Sequence, residues 1–217
     1  MPGFFLHPGN LKCLFPAVGL ALAVLVSFPS GSAAQARYQG RDNWQMPDSV
    51  VAVLGIEAGE VVADIGAGSG YFASYLCAAV GPQGRYLAVD IDTAALGRLA
   101  ERAAALGLTN LDTVHAAVDD PLLPDGSVGL VFFCNTLHHI SGRADYLKRL
   151  KAVLKPGGRV AVVDFFRKDL PVGPRDPGHK LSRQEALEAL RKAGYVITAE
   201  YDFLPYQYFL VAGPATR

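Results

Sequence analysis

Val61-Val62-Ala63-Asp64-Ile65-Gly66-Ala67-Gly68-Ser69-Gly70-Tyr71 is the stretch that decides the fold. Its first half is a short apolar, β-branched run, which marks a strand. Its second half places glycine at alternate positions. Glycine lets the chain turn tightly and lets a ligand come close to the backbone. Beyond the turn, Phe72, Leu76 and Val80 fall on one helical face between Tyr71 and Val80. A strand, a glycine turn and a helix in that order open a parallel α/β sheet, whose ligands bind at the carboxyl ends of the strands.

The same alternation continues on both sides. Strands are expected over Arg85–Val89, Leu111–Ala116, Gly129–Cys134 and Arg159–Phe165. Asp92 caps a helix carrying Leu96, Leu99, Ala103 and Leu106, which Gly107 stops. A second helix, around Asp145–Lys155, has Leu147, Leu150 and Leu154 on one side and is closed by Pro156-Gly157-Gly158. Nearly all-apolar strands separated by helices indicate a parallel sheet buried on both faces. The chain then changes character. Arg167 to His179 is rich in proline and glycine and reads as a loop. Ser182-Arg183-Gln184-Glu185 is a capping box that opens a helix to Ala193. Tyr195–Tyr201 and Tyr206–Ala212 follow with no helix between them, joined by a tight turn near Pro205, so they form an antiparallel pair at the sheet edge.

Composition bounds the possibilities. The 217 residues carry 20 basic and 20 acidic side chains, and 51% of the chain is hydrophobic. That suffices for one well-cored domain and excludes disorder. A zero charge balance argues against a general nucleic-acid binder, which needs a basic surplus. Cys13, Cys77 and Cys134 make no disulfide framework and have no zinc-site spacing. Residues 1–36 hold no acidic residue, and Lys12 precedes an apolar run from Cys13 to Phe28. The run is shorter than the roughly 20 residues that span a bilayer. Ala34-Gln35-Ala36 has the small-x-small form of a cleavage site. The expectation is a secretory signal over 1–36, or a short uncleaved membrane anchor, ahead of one domain over 37–217. Cleavage would make the protein periplasmic or secreted.

Details of the glycine loop narrow its ligand. Tyr71 stands where a dinucleotide fingerprint wants its last glycine. Asp64 ends the strand before the loop, and a carboxylate there suits an ammonium rather than a pyrophosphate. Asp90 ends the next strand, where its carboxylate can accept both hydroxyls of a ribose.

Together with Ala88-Val89-Asp90-Ile91, Leu137-His138-His139 and Leu154-Lys155-Pro156-Gly157-Gly158, the loop resembles the class I S-adenosylmethionine-dependent methyltransferases. The matching segments span roughly Val50 to Asp164. The resemblance implies a Rossmann-like, seven-stranded, mostly parallel sheet with an antiparallel C-terminal strand pair and helices on both faces. It implies S-adenosyl-L-methionine as cofactor and a small or medium-sized acceptor as partner. It also implies roles. Asp64 and the loop residues Gly66, Ala67, Gly68 and Gly70 would hold the methionine portion. Asp90 would bind the ribose, and Ile91 would pack on the adenine. Asp119, or Asp120 beside it, would accept from the adenine amino group. Asn135 would stand beside the methyl-bearing sulfur. Gly129 departs from the acidic residue the family usually has there. Arg41-Asp42-Asn43-Trp44-Gln45 and Asp202-Phe203-Leu204-Pro205-Tyr206-Gln207 resemble a bacterial subgroup of small methyltransferases that often carry leaders. The leader and the cofactor conflict, because S-adenosylmethionine is made in the cytoplasm. An anchor, a misassigned start or imported cofactor would reconcile them.

Methyl transfer from a sulfonium is an in-line displacement, and alignment supplies most of what a protein adds. A general base matters only where the acceptor must lose a proton. His138 and His139 are the candidate bases in the core; the bland alternative is loop structure. Joining them to Cys134 as a metal site has little support, because adjacent histidines on a loop point apart and no carboxylate is placed to orient them, so no metal is expected. His139 also stands at the rim, where it would meet the acceptor. His179-Lys180 on the same rim could bind an anionic acceptor group or be solvated loop charge. Trp44, Tyr206 and Tyr208 could line an acceptor pocket or simply cover the sheet. Cys77 reads as core packing. Two competing functions are a nicotinamide-dependent oxidoreductase, which Tyr71 and Asp64 disfavour, and a non-catalytic S-adenosylmethionine-binding protein.

Overall fold

The computed structural model describes residues 40–215, so the expected leader over 1–36 lies outside the described residues. No helix among the described residues is long and apolar enough to cross a membrane. Seven strands form one sheet: β1 (Val61–Ile65), β2 (Arg85–Asp90), β3 (Leu111–His115), β4 (Val128–Cys134), β5 (Leu154–Phe165), β6 (Tyr195–Tyr201) and β7 (Gln207–Pro214). Their order is β3-β2-β1-β4-β5-β7-β6. β1 pairs in parallel with both β2 and β4, whereas β7 runs antiparallel to β5 and β6. The strand order reverses between β1 and β4, and the crevice above such a reversal is the ligand site of an open α/β sheet.

Helices cover both faces. The short α1 (Asp42–Gln45) leads into α2 (Pro47–Val53), which lies on one face with α3 (Ala73–Val80) and α4 (Thr93–Ala105); on the other lie α5 (Arg143–Val153) and α6 (Arg183–Lys192). β4 shows why a central strand is apolar throughout. Phe132 faces the α3 side and Phe133 the α5 side, and both are fully buried. Asp92 caps α4 by accepting from the N–H groups of Ala94 and Ala95. Ser182 and Glu185 close the capping box on α6.

Several expectations are corrected. β3 is not apolar on both faces. It is an edge strand with exposed Asp112, Thr113 and His115, since one of its sides meets no neighbour. α5 ends at Val153, and Pro156-Gly157-Gly158 belongs to β5 rather than closing a helix. Leu154 already pairs with Val128, and a register shift before Arg159 accommodates the prolyl-glycyl segment as a bulge. The connection from β6 to β7 spans 202–206, longer than a tight turn. Tyr71 and Phe72 form a turn, and α3 starts after them. The short α1 and α2 went unforeseen. They meet at Met46, whose φ of +47° breaks the helix before Pro47 opens the next.

Candidate active site

The floor of the crevice is the β1–α3 turn. Gly66 and Ala67 donate their N–H groups to the Val89 carbonyl at 2.7 and 3.2 Å, which ties the loop to β2. Gly66 and Gly70 are required twice over. Both have φ near +70°, and a Cβ on either would lie 2.2 Å from a side-chain carbon, of Thr136 and Leu99 respectively. Gly68, at φ +54°, faces nearly open space, with only the Gly66 carbonyl oxygen close. It is the glycine a ligand can approach.

Two carboxyl groups flank this loop. Asp90 Oδ2 accepts from the Gly68 N–H at 2.8 Å, and its Oδ1 accepts from the Asp92 N–H at 3.0 Å. Asp90 therefore shapes the loop as well as facing the crevice. Asp64 is buried and accepts from the Tyr86 hydroxyl at 2.8 Å. Burial pushes its carboxyl up to about 7, against the Tyr86 hydrogen bond and the positive charge of Arg41, with Asp90 adding to the rise. A carboxyl held this way makes no ion-pair contact among the described residues, and a bound ammonium supplies one. Ile91, beside Asp90, is 57% exposed, an apolar side chain left uncovered at the crevice.

The β4 end supplies the other wall. Asn135 adopts a left-handed φ of +58°, which asparagine tolerates better than most residues. Its Oδ1 accepts from Gln207 Nε2 at 2.6 Å, and Gln45 Nε2 donates to Gln207 Oε1 at 2.6 Å. Gln45 and Gln207 are fully buried. Trp44 packs against Phe165 and Tyr206, with ring centroids 5.7 and 6.3 Å away. Burial pushes the nearby Cys134 thiol up to about 12, so it stays protonated.

The histidines are arranged differently from the expectation. A carboxylate does orient His138: its Nδ1 lies 2.9 and 3.0 Å from the two oxygens of Asp164. Asp164 Oδ1 also accepts from the Phe165 N–H at 2.8 Å, and both side chains are buried. His138 therefore stands in the wall beneath the crevice rather than open to it. The rings of His138 and His139 do not point apart; their centroids are 4.0 Å apart. His139 is exposed, and partial desolvation, with His138 beside it, lowers its pKa. His179 lies 6.3 Å from the His139 ring. Lys180 does not face the rim. It is buried and donates to the Lys168 carbonyl at 2.6 Å, pinning the loop before α6.

The crevice thus gathers Asp64, the glycine loop, Asp90, Ile91 and Asn135, with Trp44 and Tyr206 alongside. Tyr208 instead lies buried on the α5 face, its hydroxyl without a hydrogen-bond partner among the described residues. Asp120 is engaged elsewhere, paired with Arg149 and accepting from the Leu122 N–H. Asp119 is exposed on the same loop, which borders a cleft of about 760 Å³ against α5. Among the described residues no group of three metal-binding side chains is assembled. The Gly129 departure has a steric reason: a Cβ there would lie 2.4 Å from Glu60 Oε1, and Glu60 pairs with Arg159 at 2.7 Å. That contact is at the strand end away from the crevice. Arg41, Gln45, Gln207 and Asp164 were not foreseen as site residues. The signal for two of them was present, since Gln207 and Asp164 each interrupt an apolar strand run.

Comparison with known proteins agrees with this geometry. A methyltransferase-domain family matches residues 63–160. The ubiquinone/menaquinone biosynthesis C-methyltransferase UbiE of Francisella philomiragia is 27% identical over 157 residues, covering 72% of this chain and 61% of that protein. UbiE of Pasteurella multocida is 28% identical, covering 70% of this chain and 55% of its own length. The chain therefore spans little more than half the length of these relatives. A S-adenosylmethionine-dependent methyltransferase from Aquifex aeolicus superposes with a TM-score of 0.77 at 26% identity, covering 84% of this chain and 98% of that one. Loop, flanking carboxylates, sheet order and relatives agree in supporting a class I S-adenosylmethionine-dependent methyltransferase domain, which the family match places over residues 63–160.

Proposed function

We propose that the protein transfers the methyl group of S-adenosylmethionine to a small, largely apolar acceptor seated between Asn135 and the Trp44–Tyr206 wall. The observation that carries this is the pairing of Asp64 and Asp90 on either side of a glycine loop whose middle residue is open. The bound cofactor supplies an electrophilic methyl on a sulfonium. The chain supplies position and dryness. Asp90 holds a diol at the β2 end while fixing Gly68. Asp64 compensates a cationic end. The neutral amide of Asn135, held from behind by the buried amides of Gln207 and Gln45, faces the methyl side, so no strong nucleophile of the protein competes with the acceptor. Cys134, kept as a thiol, is no exception. Alignment of this kind is worth on the order of 7–11 kcal/mol of barrier.

The acceptor class rests on the aromatic wall and on the C-methyltransferase names of the relatives, and it is our reading. The oxidoreductase alternative has no support in the loop or in the relatives. The test is incubation of the purified protein with isotope-labelled S-adenosylmethionine and a panel of phenols, quinols, amines and thiols. S-adenosylhomocysteine should form with a ring-bearing acceptor. Binding without turnover across the panel would favour the non-catalytic reading. We also infer that residues 1–36 direct the chain out of the cytoplasm; a reporter active only in the periplasm, fused after Ala36, should be active.

A further inference from the structure

An amino-acid cofactor end carries two opposite charges a few ångströms apart. Asp64 answers the ammonium, which leaves the carboxylate facing a wall that already holds two carboxyl groups. Without a cation there, bringing the carboxylate out of water is costly. We propose that Arg41 binds the methionyl carboxylate of S-adenosylmethionine, so that Arg41 and Asp64 together recognise the two charges of the amino acid.

The guanidinium is held for such a task. Its central carbon lies 3.8 Å from the centroid of the Tyr71 ring, and Tyr71 directly follows the glycine loop. Tyr71 is fixed in turn by its hydroxyl, which donates to Asp42 at 2.5 Å. Nε and Nη2 of Arg41 donate to Gln45 Oε1 at 3.3 and 3.1 Å, and Nη2 lies 3.8 Å from Cys134 Sγ. Gln45 is anchored through Gln207 to the β4 wall. Both faces of the fork's inner edge are thus occupied by neutral partners. Nη1 makes no hydrogen bond, and Arg41 forms no ion pair, among the described residues. Other arginines of this chain differ: Arg159, Arg149, Arg167 and Arg183 each reach a carboxylate. Arg41 is near enough to Asp64 for its charge to lower that carboxyl. A planar, pre-oriented fork with a free edge suits a carboxylate. Its positive charge beside a sulfonium would be unfavourable unless an anion lay between them.

The inference rests on the cofactor reading above, and the test separates the two. Calorimetric affinities are measured for S-adenosylmethionine and for its decarboxylated analogue, which keeps the sulfonium and the ammonium. The wild-type protein should prefer the parent by about 10- to 100-fold, the scale of hydrogen bonds to a charged group. Arg41→Gln should erase that preference while leaving affinity for the analogue in place. Arg41→Lys should keep part of it, and it reads the same ratio if Arg41→Gln does not fold. An unchanged preference in the variants overturns the inference. So does an equal loss for both ligands in a variant that melts like wild type, which would make Arg41 a structural prop. An unchanged preference accompanied by a raised KM for an anionic acceptor also overturns it, by moving Arg41 to the acceptor. A wild-type protein that binds neither compound defeats the cofactor reading itself.

Discussion

Gln45 and Gln207, 162 positions apart, share a 2.6 Å hydrogen bond in the buried wall of the crevice. One comes from the short α1, the other from the first residue of β7. The bond joins the two segments, Arg41–Gln45 and Asp202–Gln207, that stand out at opposite ends of the domain sequence. It also reaches the site, because Gln207 accepts from Gln45 through Oε1 and donates through Nε2 to Asn135 Oδ1. Gln207→Leu would leave Gln45 Nε2 and Asn135 Oδ1 without that partner in a buried setting. A loss of about 1–3 kcal/mol is expected in urea unfolding. Turnover should fall further than stability alone explains, because Asn135 is released. A Gln207→Leu protein with wild-type unfolding and turnover would show the chain of amides to be incidental.

The second prediction concerns Asp90. Its two oxygens already accept from Gly68 and Asp92, so Asp90→Ala removes the ribose contact and loosens the loop together. S-adenosylmethionine affinity should weaken by about 1.5–3 kcal/mol. Asp90→Asn retains the shape and one acceptor, and should lose less. Calorimetry giving equal affinities for all three proteins would remove Asp90 from the ribose site.

Asp64 gives the third prediction, a pH dependence with a definite sign. Its carboxyl rises from 3.8 to about 7 on folding in the absence of ligand. The folded state then holds the proton that the unfolded state releases, so this group's contribution to stability is full below about pH 4. It is lost as pH rises through about 7. A cationic ligand reverses the preference, because it favours the carboxylate. S-adenosylmethionine should therefore bind more tightly as pH rises from 6 to 8, releasing a proton at the lower end. Calorimetry in buffers of differing ionisation enthalpy reads that proton directly. Asp64→Asn should flatten the profile. Wild-type binding without proton release at pH 6 would mean that the carboxyl is already ionised or does not meet the cation.

How much of this was legible beforehand differs by kind of feature. The glycine loop, Asp90 and the helix caps are local. Each depends on residues within a turn of one another, and the chain spells them out. The strand pattern was legible for the central strands, where burial on both faces leaves only apolar residues. It misled at β3, where an edge position permits Asp112, Thr113 and His115. The walls of the crevice were the hard part. Arg41, Gln45, Gln207 and Asp164 act through partners on distant elements, and no spacing rule links Gln45 to Gln207. What could have been noticed is polarity out of place. Asp164 within Val160–Phe165 and Gln207 before Tyr208–Ala212 sit where strand packing asks for hydrocarbon. A buried polar group needs a partner, so each such residue implies another.

The glycines offer the fourth prediction. Gly66→Ala and Gly70→Ala place a methyl 2.2 Å from Thr136 and Leu99, and both impose a left-handed backbone on alanine. Overpacking of this sort costs about 1–3 kcal/mol, and the left-handed conformation about 1–2 more. Gly68→Ala meets no such crowding and should cost only the conformational part. Yet Gly68 is the open residue, so its variant should lose cofactor affinity out of proportion to its stability. Thermal melting paired with calorimetry separates the two effects. Equal stability losses at all three positions would contradict the geometry of the loop.

The last prediction turns on His138 and Asp164. The imidazole Nδ1 meets both carboxylate oxygens, and neither side chain is open to solvent. Removing one member of a buried pair strands the other, at a cost of about 3–5 kcal/mol. His138→Ala should therefore unfold at markedly lower urea concentration than wild type. The double variant His138→Leu/Asp164→Leu should be less destabilised than the two single changes added together, since it removes both members of the pair and takes a partner only from the Phe165 N–H. The pair also links the loop after β4 to the end of β5, which is how it reaches the crevice, through the placement of Asn135. Turnover should accordingly fall in His138→Ala more than cofactor affinity does, and Asp164→Asn should show the same split. If His138 were instead the base that touches the acceptor, His138→Ala alone would abolish the pH dependence of turnover while Asp164→Asn merely shifted it. Matching pH profiles in the two variants are the expected result and would make His138 a positioning residue.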